Sequence, residues 1–176
     1  MIITISGPIG SGKTTVCRML GERLGYRTVI SGHLFREMAK ELELSLEEFG
    51  QRAEKDPKYD RLIDQRMVDI ARESGDIILE GRLAGQMMRR NGIPAFCIFL
   101  DAPLEIRTNR VSGREGVELR AAMDEMSARE ASEVLRYRIF YGIDVTDRSI
   151  YDMVIDTGAL TPEHVVEMIV SRARGG

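Results

Sequence analysis

The sequence has little of what several protein classes require. No stretch approaches the roughly 20 uninterrupted apolar residues needed to cross a bilayer, which excludes a helical membrane protein. Positive charge is not in surplus: 25 basic against 28 acidic residues give a net charge of −3, which argues against bulk electrostatic binding to nucleic acid or to an anionic membrane. Cysteine is scarce, with only Cys17 and Cys97, far apart and among apolar neighbours, where they read as reduced core thiols. The two histidines, His33 and His164, have no cysteine partners at a zinc-binding spacing. The N-terminus shows neither a basic leader nor a small-residue cleavage site, so a cytoplasmic protein is expected. Lysine is nearly missing as well, with 4 Lys against 21 Arg. Arginine grips phosphate and carboxylate with a planar fork, so this bias marks either phosphate handling or genome composition, and the count alone does not separate the two.

What is present suffices for one folded domain. The 176 residues are 43% hydrophobic and 30% charged, enough for a sizeable core. Short apolar runs at Ile2–Ser6, Arg27–Ile30, Asp76–Glu80, Ala95–Leu100 and Tyr151–Asp156 read as strands. Between and after them the periodicity predicts helices over Lys13–Leu24, Gly32–Leu42, Ser45–Glu54, Pro57–Glu73, Leu83–Arg90, Pro103–Val111, Ala128–Tyr141 and Pro162–Arg172. Ser45 with Glu48 forms a capping box, Thr161-Pro162 starts a helix, and Asn91-Gly92 ends one. Such alternation predicts an α/β fold with a five-stranded parallel sheet flanked by helices. Residues 31–73 and 104–141 exceed simple crossovers and are expected to overhang the carboxyl edge of the sheet as movable covers, with a core of 1–30, 74–103 and 142–176. The Gly175-Gly176 tail is expected to fray.

The sharpest motif is Gly7-Pro8-Ile9-Gly10-Ser11-Gly12-Lys13-Thr14-Thr15, a full match to G-x-x-x-x-G-K-[ST] between a strand and a helix. This is the phosphate loop of P-loop nucleotide-binding proteins. Its glycines let successive backbone N–H groups turn inward as an anion nest at a helix N-terminus. Lys13 then reaches the β- and γ-phosphates of ATP, Thr14 is placed to ligate Mg²⁺, and Thr15 can donate near the α-phosphate.

Further candidates follow the next strands. Ser31-Gly32-His33-Leu34-Phe35-Arg36 comes directly after the second strand, where small-molecule P-loop kinases begin to hold their acceptor. Glu80-Gly81-Arg82 ends the third strand beside the loop: the acid could orient Mg²⁺-bound water, the glycine frees the backbone to turn, and Arg82 could grip an acceptor phosphate. In the second insertion Arg107 and Arg110 share a helix face, as do Arg129, Glu133 and Arg136.

Taken together, G-P-I-G-S-G-K-T-T, S-G-H-L-F-R, E-G-R-L-A-G, the F-L-D-A stretch Phe99–Ala102, the Arg-rich cover and I-D-T-G at Ile155–Gly158 make the chain resemble the nucleoside monophosphate kinases, most closely the archaeal-type cytidylate kinases. The resemblance runs over nearly the whole length. It implies ATP with Mg²⁺ as phosphoryl donor and CMP or dCMP as acceptor, an acceptor-binding insertion at 31–73 and a lid at 104–141. It also implies that Arg36, Arg82 and Arg136 hold the acceptor α-phosphate, that Arg129 and Glu133 reach its ribose or phosphate, and that Arg107 and Arg110 face ATP. Lys13, Arg82, Arg129 and Arg136 would act on the transferring group. In bacterial cytidylate kinases an Asp that helps to read cytosine follows the G-R pair; here Leu83 stands there, so no residue is assigned to the base. A monomer working on small nucleotides, without nucleic acid or membrane, is expected. Two rival readings stay open: a small P-loop kinase for AMP, UMP, shikimate or dephospho-coenzyme A, and a nucleotide-dependent RNA- or ribosome-associated ATPase. The lack of a basic stripe weighs against the latter.

Overall fold

The computed structural model describes residues 1–174, apart from the side chains of Leu46 and Glu47, and Gly175-Gly176, expected to fray, lies outside the described residues. The elements run β1 (Ile2–Ser6), α1 (Lys13–Leu24), β2 (Arg27–Ile30), α2 (Ser31–Glu41), α3 (Leu46–Lys55), α4 (Pro57–Glu73), β3 (Ile77–Glu80), α5 (Ala84–Arg90), β4 (Phe96–Asp101), α6 (Leu104–Glu115), α7 (Leu119–Tyr141), β5 (Met153–Asp156) and α8 (Pro162–Arg174). The strands form one parallel sheet in the order β2-β3-β1-β4-β5.

The central strands are buried on both faces because helices cover both, and they are mostly apolar, with Thr4 and Ser6 the buried polar exceptions in β1. Ile3 and Ile5 of β1, with Ile78, Ile98, Leu100 and Ile155, pack against Val16, Cys17 and Leu20 of α1 and Val165, Ile169 and Val170 of α8. Alternate residues, Ile77 and Leu79, point the other way onto Ile63, Met67 and Ala71 of α4 and Ala84, Met87 and Met88 of α5. Both cysteines are free and buried, and burial pushes the Cys17 thiol up to about 12, the behaviour of inert core thiols. Among the described residues no helix is long and apolar enough to cross a membrane.

This topology positions the site. The chain leaves β1 for one side of the sheet and, after β3, crosses over β1 to β4, so the loops that follow β1, β3 and β4 open around one crevice at the carboxyl edge. The expected caps are all present. Ser45 Oγ accepts from Glu48 N at 3.1 Å while Glu48 Oε2 accepts from Ser45 N at 2.9 Å. Thr161 Oγ1 accepts from His164 N at 3.3 Å, and Asn91 caps α5, with Gly92 following at φ 62.

The helices of the second insertion depart from the periodicity. α6 runs four residues beyond Val111, to Glu115, and α7 starts nine residues before Ala128, at Leu119. Its N-cap is Glu118, whose carboxylate accepts from Ala121 N at 3.2 Å, rather than a Ser or Thr that would announce a helix. Nor does α7 carry one apolar stripe: Ala122 and Met126 face α6, Glu133 and Tyr137 face the core, and Leu135 and Ile139 face solvent.

Candidate active site

The loop after β1 is held open by sterics that only glycine satisfies at two points. Gly7 has φ +149 and a Cβ there would lie 2.1 Å from Leu100 O; Gly10 has φ +78 and a Cβ there would lie 2.7 Å from Arg107 O. Ser11 Oγ donates to Pro8 O at 2.9 Å, closing the turn, and Gly12 caps α1 in the left-handed region. Lys13 Nζ donates to Pro8 O at 2.8 Å across the loop. Burial lowers the Lys13 pKa from 10.5 to about 8; Arg82 adds to the fall, and Glu80 and Glu133 oppose it. Thr14 Oγ1 donates to Glu80 Oε2 at 3.3 Å, which brings a hydroxyl of the loop and the carboxylate ending β3 to one spot.

Beside the loop lies a cavity of about 330 Å³ that gathers the predicted acceptor residues Ser31, Arg36, Gly81, Arg82, Arg129, Glu133 and Arg136. Arg36 stands exposed at its rim. Arg82 bridges loop and cavity: Nη1 donates to Gly7 O at 3.3 Å, and Nη2 lies 3.1 Å from Glu133 Oε2. Glu133, nine-tenths buried, also faces Arg129 Nε at 3.4 Å. Arg136 Nε sits 3.7 Å from Asp60 Oδ2 of α4. Burial raises the Asp60 pKa, with Arg136 opposing and Glu133 adding to the rise. Arg82 Nη2, Arg136 Nε and Asp60 Oδ2 are all buried and have these ion-pair contacts but no well-aligned hydrogen bond. Buried polar atoms nearly always make a hydrogen bond, so this cluster of atoms with spare hydrogen-bonding capacity around a cavity fits a polar ligand. Gly81 serves a different purpose from the expected free turn: its Cβ would come within 3.1 Å of Ser31 Oγ, so the glycine allows β3 and the start of α2 to close together.

On the other side of the loop, two arginines of α6 hold its backbone. Arg107, buried, donates from Nε to Ala102 O at 2.9 Å and from Nη1 to Ile9 O at 3.0 Å, and pairs with Glu130 of α7. Arg110 Nη1 donates to Gly10 O at 3.2 Å and to Thr157 Oγ1 at 3.0 Å, and Nη2 donates to Thr157 O at 2.7 Å. Arg110 also borders a second cavity, of about 320 Å³, with Gly10, Ser11, Gly12, Thr15, Arg114 and Leu160.

Sequence reasoning passed over Thr157, Glu130, Asp60 and Asp64. Thr157 Oγ1 lies 3.0 Å from both Ser11 O and Asp101 O and so ties the end of β5 to the loop. Its only trace was its place within I-D-T-G. Asp60 and Asp64 left a fainter one, two acids a turn apart on a helix whose neighbours Ile63 and Met67 are core.

The chain is similar to known proteins in the same terms. The model of the cytidylate kinase-like family matches residues 2–159. The cytidylate kinase of Methanocaldococcus jannaschii is 46% identical over 97% of this chain and 96% of the relative. That of Pyrococcus abyssi is 44% identical over 96% and 91%. Among solved structures, a shikimate kinase from Bacteroides thetaiotaomicron shares the fold at TM-score 0.66 and 14% identity, covering 99% of this chain and 98% of that one. An uncharacterized protein from Eubacterium ventriosum does so at TM-score 0.74 and 21% identity, covering 98% and 97%. A phosphate loop set beside an arginine-lined cavity is common to many P-loop kinases, but near-full-length identity of this order is not, and by it the chain belongs to the cytidylate kinase-like family.

Proposed function

We propose that the protein is an ATP-dependent phosphotransferase that moves the γ-phosphoryl group to CMP or dCMP, giving ADP and CDP or dCDP. Arg82 carries this reading: one end of its guanidinium reaches the phosphate loop and the other lies in the adjacent cavity, held by Glu133 between donor and acceptor phosphates. Residues 31–73 form the acceptor-binding insertion and 104–141 the lid. The donor lies with its phosphates in the nest of Gly7–Thr15 and its base toward the cavity bordered by Arg110, Thr157 and Leu160.

The acceptor oxygen belongs to a phosphate already ionised near neutral pH, so no general base is needed. That oxygen forms a bond to the γ-phosphorus as the bond to the β,γ-bridging oxygen breaks. The barrier lies in bringing two anions together in line and dispersing their charge. Lys13 neutralises the donor, Arg36, Arg82 and Arg136 hold the acceptor phosphate, and Glu133 fixes Arg82 and Arg129 in place. Closure of the lid keeps water from taking the phosphoryl group. Thr14 Oγ1 and Glu80 Oε2 offer hard oxygen donors that fit Mg²⁺, the hydroxyl to the ion and the carboxylate to its water. When bound with ATP, the ion would neutralise charge on the β- and γ-oxygens.

The test is ATP-dependent phosphorylation of CMP, dCMP, UMP and AMP measured side by side. CMP or dCMP should be turned over best. Strong AMP and negligible CMP turnover would overturn the acceptor assignment and leave the kinase class standing.

A further inference from the structure

The acceptor cavity is polarised along its length. Arg82, Arg129 and Arg136 crowd one end, and Asp60 meets them there, 3.7 Å from Arg136. Asp64 lies one turn further along α4, about 6 Å away by helical rise. Tyr141, the last residue of α7, donates its hydroxyl to Asp64 Oδ2 and fixes the carboxylate. Ile63, Met67, Leu83 and Met87 form an apolar part of the wall, with Ser31 and Arg36 also on the lining. A nucleotide with its phosphate among the arginines would place its ribose beside Glu133 and Asp60 and its base in this apolar part, with Asp64 at its edge.

We propose that Asp64 reads the acceptor base, its carboxylate accepting a hydrogen bond from the exocyclic amino group of cytosine while Tyr141 holds it in position. This inference rests on the CMP assignment above. The chemistry discriminates because a carboxylate only accepts: cytosine offers a donor at position 4, whereas uracil offers an acceptor oxygen that the carboxylate would repel. Burial pushes the Asp64 pKa up to about 6; the Tyr141 hydrogen bond opposes the shift and Asp60 adds to it. The group is therefore ionised near neutral pH yet poorly solvated, a state that a donor from the base relieves. The position after Gly81-Arg82, Leu83, then supplies apolar wall, and recognition comes from α4.

The test compares kcat/KM for CMP, UMP and the ribonucleotide of 2-pyrimidinone, which is the cytosine ring without its amino group. The wild-type protein should favour CMP over the pyrimidinone nucleotide by about 10- to 100-fold, the range of one hydrogen bond to a charged group. Asp64→Asn should lower the CMP to UMP ratio at least about tenfold while leaving the pyrimidinone nucleotide within about twofold. An equal loss on all three substrates would mean that Asp64 only supports the fold. Should Asp64→Asn fail to fold, the wild-type comparison decides: equal use of CMP and the pyrimidinone nucleotide sinks the role of Asp64 and leaves the CMP reading intact. No CMP turnover by the wild-type protein would overturn both.

Discussion

Lys13→Met should make the nucleotide-free protein more stable while nearly abolishing its turnover. The fall of the Lys13 pKa from 10.5 to about 8 measures how badly the folded loop tolerates the ammonium, and corresponds to about 3 kcal/mol. The side chain is only half-buried, so water relieves part of this, and the substitution loses the bond from Nζ to Pro8 O; the net gain is about 1–2 kcal/mol. The sign follows from the two titrations. Below pH 8 the amine is charged in both folded and unfolded chains and the penalty is complete; between 8 and 10.5 the folded protein sheds the proton and the penalty fades. In thermal melts without nucleotide, the variant should exceed the wild type by about 2–8 °C near pH 7, with the gap closing as the pH approaches about 10. Turnover should fall at least about a hundredfold. A variant less stable than the wild type at neutral pH, or an advantage unchanged in alkaline buffer, would refute the strained ammonium. Near-normal turnover would refute the loop assignment itself.

The same residue makes ATP binding take up protons. At pH 8 about half of the Lys13 side chains are neutral, and the incoming phosphates draw the pKa back up, so calorimetry in buffers of different ionisation enthalpy should show uptake of about half a proton, and net release would contradict it. Arg82→Ala should raise the acceptor KM or lower kcat about tenfold or more with ATP affinity nearly unchanged, since its guanidinium lines the proposed acceptor cavity; a loss confined to ATP binding would count against that role. Gly7→Ala drives a Cβ to 2.1 Å from Leu100 O and should destabilise the fold by at least about 2 kcal/mol in denaturant titration, and an unchanged midpoint would show that β4 yields instead.

The phosphate loop was readable from the chain because its chemistry constrains contiguous residues: the glycines, Lys13 and Thr14 each answer a local demand. Arg82 was readable because it directly follows a strand at the edge where ligands bind. What lay hidden depends on contacts distant in sequence. The start of α7 is masked because its buried side changes from α6 to the core along its length. Asp60 and Asp64 look like a solvated helix face until α7 brings Arg136 and Tyr141 against them. Arg107 and Arg110 were expected at the nucleotide, and spacing gave no sign that their guanidinium groups also bind the loop carbonyls of Ile9 and Gly10. Gly81 was singled out for its flexibility, yet what it supplies is space for Ser31.

Adjacent residues of α7 serve opposite sides of the crevice: Glu130 anchors Arg107 beneath the phosphate loop, while Arg129 and Glu133 face the arginine-lined cavity. A stiff helix thereby acts as a ruler between the loop and the cavity. Removing one residue between Met126 and Arg136 would swing everything beyond it by about 100° and slide it about 1.5 Å, so neither set of contacts could survive together. The turn at Gly116, left-handed and clear of neighbouring atoms, has no such duty. A change of length there, before α7 begins, would leave these contacts in register.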